Sequence, residues 1–311
     1  MLRRRGRLRV LALSASIAKL TTLAQAVRDH VRDGTRVALG CALEPAIPFA
    51  IVYEIVRQRR RDLRLVGPIS DIAFDMLIGA GCVAEVDAAW IGNVSAGLAH
   101  CYRRAMEEGI PRRITVRDHS NFSIGLALLA GALGSPYIPT RSLLGSDLAR
   151  ANGTFREAAS PFDGSKVLLI PAIEPDVTVV AVQRSDEDGN AQLWGPWGVS
   201  QEAALAARAV IVLADEIVEP GVIRADPNRT IVPTFKVAAV VEQPGACHPS
   251  PLQDRYARDQ EFFHEYHRAT RTSDGFDVWL REWVLDVPDH DSYLAKLSAR
   301  WDALRASEMA R

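Results

Sequence analysis

The chain has 311 residues, 48% of them hydrophobic and 24% charged, proportions of a folded globular protein rather than a disordered or fibrous one. Lys and Arg number 37 against 38 Asp and Glu, a formal charge of -1 that gives no overall field for binding nucleic acid. The four cysteines, Cys41, Cys82, Cys101 and Cys247, form no CxxC and no close pair, which argues against a disulfide framework or a thiolate metal site and for a reducing, cytoplasmic compartment.

Five arginines among residues 1–9 precede the short apolar run Val10–Leu13. The run breaks at Ser14 and Ser16, so residues 1–18 are expected to be a poorly ordered extension rather than an export signal, with the folded unit spanning 19–311. Leu23, Val27 and Val31 recur every four residues, predicting a first amphipathic helix over 20–34 with Thr21 or Thr22 as N-cap and Gly34 at its end. A strand–loop–helix pattern then repeats. Arg36–Gly40 reads as a strand and Pro48–Arg60 as a helix, followed by Leu63–Val66 (strand), Ile72–Ile78 (helix), Val83–Ile91 (strand) and Ala96–Glu108 (helix).

Residues 119–140 are uncharged, yet the apolar part Ile124–Leu133 is too short to span a bilayer and Pro136 and Pro139 follow; a buried helix over 121–133 is expected, and no membrane segment. The segment Asp147–Lys166 reads as a long polar loop. Val167–Ile170, Val177–Val182 and Val210–Leu213 are short, β-branched and apolar, as central strands of a parallel sheet are. Between them lie a turn at 186–190, a strand at Ala191–Trp194 and a helix at Gln201–Ala207. From about 252 to 311 aromatic residues at helical spacing (Phe262, Tyr266, Trp279, Trp283, Tyr293) predict a helical region packed on the sheet or on a partner. The fold class is α/β: one open, mostly parallel sheet flanked by helices.

Several motifs have bland readings. Gly79-Ala80-Gly81 with Ala84 matches a dinucleotide fingerprint but follows a helix and precedes a strand, the order of a helix C-cap. Asn93-Val94-Ser95-Ala96-Gly97 lacks the first glycine of a nucleophile elbow. His264 and His267 are three apart where a HExxH metal site needs four, so no metal site is expected. His248 sits among turn residues, where a loop-bracing hydrogen bond is the default. Arg57, Arg59, Arg60, Arg61 and Arg64 are read as a solvated helix end or an attraction for phosphate.

The segment Asp33 to Pro48 is more informative. Asp33-Gly34, two residues, Val37-Ala38-Leu39 and Gly40 place a turn at the carboxyl end of a strand, with a helix start opposite, where open α/β sheets put ligands. Glu44 in this loop is either a general base or an ordinary loop glutamate.

This segment resembles the glycine-rich signature of the alpha (A) subunits of family I coenzyme A transferases, D-G, two residues, three apolar residues, G-G-F and a later G-x-P; Cys41, Ala42 and Ala46 replace the second glycine, the Phe and the later glycine. From about 19 to 299 the chain is similar to the glutaconate-type alpha subunits, for example at Asp75-Met76-Leu77-Ile78-Gly79, Leu144-Gly145-Ser146, Asp188-Gly189-Asn190, His248-Pro249-Ser250 and Asp289-His290-Asp291. Tyr256-Ala257-Arg258-Asp259 also resembles the alpha subunit of steroid ring-cleaving CoA-ester hydrolases.

The resemblance implies the three-layer fold of that family, coenzyme A as substrate and product with no permanent cofactor, an acyl-CoA and a carboxylic acid as substrates, and a homologous beta (B) subunit in a hetero-oligomer. It places the nucleophilic glutamate in an S-E-N-G motif on the partner; this sequence has no S-E-N-G. No residue here is then a certain catalytic one, with Asn121 and Ser146 in support, and Gly40, Cys41, Glu44, Asn93, Ser120, Asn121, Gly145 and Ser146 lining the substrate and CoA site. Asn121 falls where the transferases carry glutamine and the hydrolases glutamate, and an amide cannot act as a base at neutral pH, which favours transfer. Hydrolysis of a ring-containing CoA ester and non-catalytic CoA-ester binding are the alternatives.

Overall fold

The computed structural model describes residues 19–309; the expected extension at 1–18 lies outside them. Thr22 caps α1 (Leu23–His30) by accepting the Gln25 N–H at 3.2 Å. The helix ends earlier than its pattern suggests, and Gly34 serves the turn into β1 (Arg36–Ala38) instead. After α2 (Phe49–Arg57) come β2 (Leu63–Ile69), α3 (Ile72–Gly79), β3 (Val83–Trp90), α4 (His100–Glu107) and β4 (Thr115–Asp118). Gly81, at a φ of 73°, closes α3 with Cys82 N–H returning to Leu77 O, so the glycine pair is a helix C-cap.

The chain continues through α5 (Asn121–Ala132), β5 (Tyr137–Thr140), α6 (Asp147–Ala151), β6 (Arg156–Ala159) and β7 (Lys166–Pro171) to β8 (Val177–Val182). Next are β9 (Arg184–Ser185), β10 (Ala191–Gln192), α7 (Ser200–Ala206), β11 (Ala209–Ala214), α8 (Pro220–Ala225), β12 (Thr230–Val232) and β13 (Val237–Glu242). The helices α9 (Gln260–Ala269), α10 (Ser273–Leu280), α11 (His290–Leu297) and α12 (Ala299–Met309) complete it, α10 running into a π turn at Arg281–Leu285.

Seven strands form one sheet in the order β13-β11-β8-β1-β2-β3-β4, every pair parallel. Its two faces carry separate cores, because side chains alternate along each strand. Val37 and Leu65 face a large core that takes in α2, α3 and the C-terminal helices through Phe49, Tyr53, Phe262, Tyr266, Trp279 and Tyr293. Ala38 and Val66 face a smaller one with α5 and α7. The result is helices on both faces of a parallel sheet, and the C-terminal aromatic residues pack back onto it.

Three expectations are corrected. Val167–Ile170 is not a central parallel strand: β7 is the middle of a three-stranded antiparallel sheet, β5-β7-β6. Only Leu168 and Ile170 are buried, against the smaller core, and that one-sided burial suits an antiparallel strand. The polar stretch at 147–166 is not a loop throughout. Ser146 caps α6 by accepting Ala149 N–H at 3.2 Å, and β6 is an edge strand whose charged residues leave no hydrophobic signal. Helix α4 also begins four residues later than its spacing predicts, since Ala96 and Gly97 belong to a turn on Asn93.

Candidate functional site

From β1 the chain steps outward through β2, β3 and β4, then returns to build β8, β11 and β13 on the other side. The order reverses between β1 and β8, the position at whose carboxyl ends open α/β sheets take ligands. The loop after β1 is the glycine segment singled out from the sequence. Gly40 has a φ of 67°, and a Cβ there would lie 2.6 Å from Ser70 Oγ. Ser70 donates to Leu39 O at 3.1 Å, locking the ends of β1 and β2 together.

The loop is held from both sides. Val199 N–H donates to Cys41 O at 2.8 Å, and Gly198 packs so closely that a Cβ would lie 2.3 Å from that oxygen. On the other side Ala46 N–H donates to Pro251 O at 2.9 Å, and the Ser250 hydroxyl donates to Glu44 O. Cys41 and Ala42 are buried, and their N–H groups donate to no acceptor among the described residues. The Cys41 thiol is pushed up to about 12 by burial, with Glu202 adding to it, so it stays protonated and unreactive. Glu44 is exposed and makes no ion pair among the described residues.

Asn121 opens α5 at the carboxyl end of β4 and is exposed, while Ser120 caps the helix reciprocally with Ser123, the two N–H···O contacts being 3.0 and 2.9 Å. Behind them His119 is buried, with Nδ1 3.3 Å from Ser123 Oγ and Nε2 3.7 Å from Asp87 Oδ1. Burial opposes the Asp87 charge, but His119 and Arg117 prevail and hold the carboxyl below its ordinary value. Asn152 ties the far side by donating to Asp118 O at 2.7 Å.

The other predicted residues take different places. Asn93 is turned inward: Nδ2 donates to Phe263 O at 2.8 Å and Oδ1 accepts the Ser95 and Ala96 N–H groups, so it shapes the loop after β3. Ser95 is gripped by Arg258 at 2.9 Å rather than presented on an elbow. Gly145, at a φ of 77°, and Ser146, which donates to Leu143 O at 2.7 Å, precede α6; their neighbours Leu143 and Leu144 pack on the core that contains Cys41. His248 is fully buried between Tyr293 OH (2.6 Å) and Asp259 Oδ2 (2.9 Å), a loop brace. No group of three or more His, Cys, Asp or Glu among the described residues could hold a metal, and no described helix is long and apolar enough to cross a membrane.

Ser70, Gly198 and the Asp87–His119 pair are not evident from the sequence alone. The available signals are Gly195 and Gly198 three apart after Trp194, and an Asp-His-Ser run at the predicted strand-to-helix junction.

An open parallel sheet with helices on both faces and a glycine loop at its switch point defines an open-sheet α/β protein, a class that takes ligands at the carboxyl edge of its strands. The chain belongs to the coenzyme A transferase family, whose model matches residues 20–243. Over 91% of its length it is 37% identical to the A subunit of the 3-oxoadipate CoA-transferase of Pseudomonas knackmussii, covering 99% of that protein. The crystal structure of glutaconate coenzyme A-transferase from Acidaminococcus fermentans superposes with a TM-score of 0.86 at 32% identity, over 91% of this chain and 94% of that one. The cholesterol ring-cleaving hydrolase IpdA subunit of Rhodococcus jostii is more distant, 26% identical over 84% of this chain and 90% of its own.

Proposed function

We propose that this chain is the alpha subunit of a heteromeric CoA-transferase, that a beta subunit carries the attacking glutamate, and that CoA passes through a glutamyl-CoA thioester on that partner. The observation that supports the reading is the glycine loop at the β1–β8 switch point, where the Cys41 and Ala42 N–H groups have no acceptor among the described residues, with the exposed Asn121 at the same carboxyl edge of the sheet; Asp87 is tied to His119 and Arg117, and Glu44 is an exposed loop residue.

The chemistry explains why such a half-site is useful. The partner's carboxylate attacks the acyl-CoA carbonyl, forming a mixed anhydride and releasing CoA thiolate. The thiolate attacks the enzyme's side of the anhydride, freeing the first acid and leaving the glutamyl thioester. The incoming acid reverses both steps. Each addition develops an oxyanion, which the loop N–H groups and the Asn121 amide can meet, and each intermediate must be kept from water.

Exposed apolar side chains support coverage by a partner. Trp90 ends β3, Val94 and Leu98 follow it, Phe122 lies in the first turn of α5 and Trp197 sits on the loop over Cys41. Such a rim is unusual for a surface left in water.

The test is reconstitution with a beta-type CoA-transferase subunit. The mixture should exchange CoA between acyl-CoA and free acid, and either chain alone should not. Release of free acid and free CoA without acceptor would favour hydrolysis instead, and CoA-ester binding without turnover by the mixture would leave only a binding role.

A further inference from the structure

We propose that the cleft at the amino ends of β2, β3 and β4 is a second ligand site, for an anionic amphiphile: a phosphate or carboxylate head on an aliphatic body. This cleft of about 540 Å³ is lined by Arg59, Arg60, Arg61 and Arg112 around an apolar wall that includes Val56, Leu280 and Leu285. Arg61, Cys82 and Arg112 each precede a strand, whereas the switch-point loops follow the strands' other ends. The eight residues of β3 separate the two by about 26 Å at 3.3 Å per residue.

The fold uses only some of these guanidinium groups. Helix α2 ends with Arg59 N–H on Val56 O and Arg60 N–H on Ile55 O, so main-chain groups already satisfy its last carbonyls. Arg59 takes the left-handed position of that cap, at a φ of 55° where glycine is usual, and the cost is borne without a side-chain bond to any described residue. Arg112 is paired with Asp62 at 2.6 Å, but the guanidinium groups of Arg59, Arg60 and Arg61 form no ion pair among the described residues, the nearby Asp33 carboxylate accepting the Arg61 main-chain N–H at 2.8 Å instead. Arg60 Nη2 donates to Gln58 Oε1 at 2.9 Å and to Arg28 O at 3.4 Å, while its Nε is buried without a partner. Three unneutralised guanidinium groups suit an anion, and guanidinium forks suit phosphate or carboxylate.

The wall decides the rest of the ligand. No aromatic side chain lines the cleft, so a stacked nucleobase has no platform. Leu285, 45% exposed, stands beside Leu280 and Val56, a surface that an aliphatic chain would cover. The volume lies within the usual range for small-molecule sites.

Titration calorimetry with octyl phosphate below its micellar concentration is the test. One equivalent should bind, at least tenfold more tightly than inorganic phosphate, and octyl glucoside should not bind. Replacing the two exposed arginines (R59A/R61A) should weaken octyl phosphate at least tenfold with the melting curve unchanged, and L285D should lose the preference for octyl phosphate over inorganic phosphate. Equal binding of the two phosphates, or unchanged binding by R59A/R61A, would overturn the proposal. Co-sedimentation with phosphatidylglycerol vesicles but not phosphatidylcholine vesicles, lost in R59A/R61A, would identify a lipid headgroup as the source; octyl phosphate binding without sedimentation would identify a free acid or phosphate ester. These readouts need no second chain, so they succeed or fail separately from the transferase reading.

Discussion

Arg258 Nη2 lies 2.7 Å from Asp71 Oδ2, joining the start of α3 to the segment before α9, 187 residues away in sequence. Asp71 is buried and sits at a φ of 46°; its other oxygen accepts the N–H groups of Ile72 at 2.9 Å and Val94 at 3.2 Å. The same guanidinium reaches Ser95 Oγ and lies over the Phe263 ring. One ion pair therefore fixes the loops after β2 and β3 at the carboxyl edge.

Removing one partner should be costly, because burial raises the Asp71 pKa and only Arg258 and the backbone donors oppose that. Arg258→Met is expected to lose about 3–5 kcal/mol in urea unfolding, the usual cost of breaking a buried pair. Combining it with Asp71→Asn should cost less than the sum of the two single changes, since neither then strands a charge. Additive losses would show that the contact contributes no coupling.

The glycine loop can be tested at two points. Gly198→Ala puts a methyl group against Cys41 O and Ala42 at a φ of 53°, and Gly40→Ala puts one against Ser70 at 67°. Each backbone conformation alone costs a non-glycine residue about 1–2 kcal/mol. Gly198→Ala should fold, shown by an unchanged far-ultraviolet spectrum, and cut exchange by the reconstituted pair at least tenfold as the loop moves. Gly153→Ala, where a Cβ meets nothing within 4 Å, is the control and should keep full activity.

Acid should unfold the protein in two overlapping stages. Burial lowers His290 to about 3 and the nearby His248 opposes its charge further, so between pH 6.5 and 3 the unfolded chain holds a proton the folded chain lacks. Stability is then full above 6.5 and falls with acid, by about 1.4 kcal/mol per pH unit for one proton. Asp259 adds to this: burial works against it, but His248 and Arg300 hold it at about 2, so its contribution is lost as pH falls from 3.8 towards 2. His290→Phe keeps the ring against Tyr293, 5.6 Å away, and removes one titration. Denaturant midpoints at pH 7, 6, 5 and 4 should fall less steeply in the variant; parallel slopes would exclude His290 as a source.

How much of this was legible depended on where the signal resided. Apolar runs and spacing announce α1, α2, α3 and α5, with Thr22 as cap for the first, and the β-branched runs announce β8 and β11, because local chemistry decides those elements. β4 reads Thr-Val-Arg-Asp and conveys nothing alone; Arg117 becomes a strand residue by reaching Glu85 at 2.8 Å and Asp87 at 3.3 Å on the neighbouring strand. β7 shows the opposite failure, an apolar run whose sheet is set by two short partners, Tyr-Ile-Pro-Thr and Arg-Glu-Ala-Ala, that carry little strand pattern of their own. At the site, the Gly40 turn was evident from its spacing, whereas Ser70 and Gly198 matter only through close approach to it.

Asn121 gives the most discriminating prediction about chemistry. It is the first residue of α5, exposed at the carboxyl edge on a helix whose cap leaves its amide uncommitted, with His119 and Asp87 fixing the turn beneath. A neutral amide can stabilise an oxyanion but cannot deprotonate water, so it favours transfer over hydrolysis. With a beta subunit present, Asn121→Ala should lower kcat for exchange about 100-fold with little change in KM, the usual loss for one oxyanion donor. Asn121→Glu should lower exchange too and raise the share of labelled acyl-CoA recovered as free acid, since a carboxylate there can activate water. An unchanged kcat in Asn121→Ala would remove this residue from the reaction while leaving the family fold and the partner requirement intact.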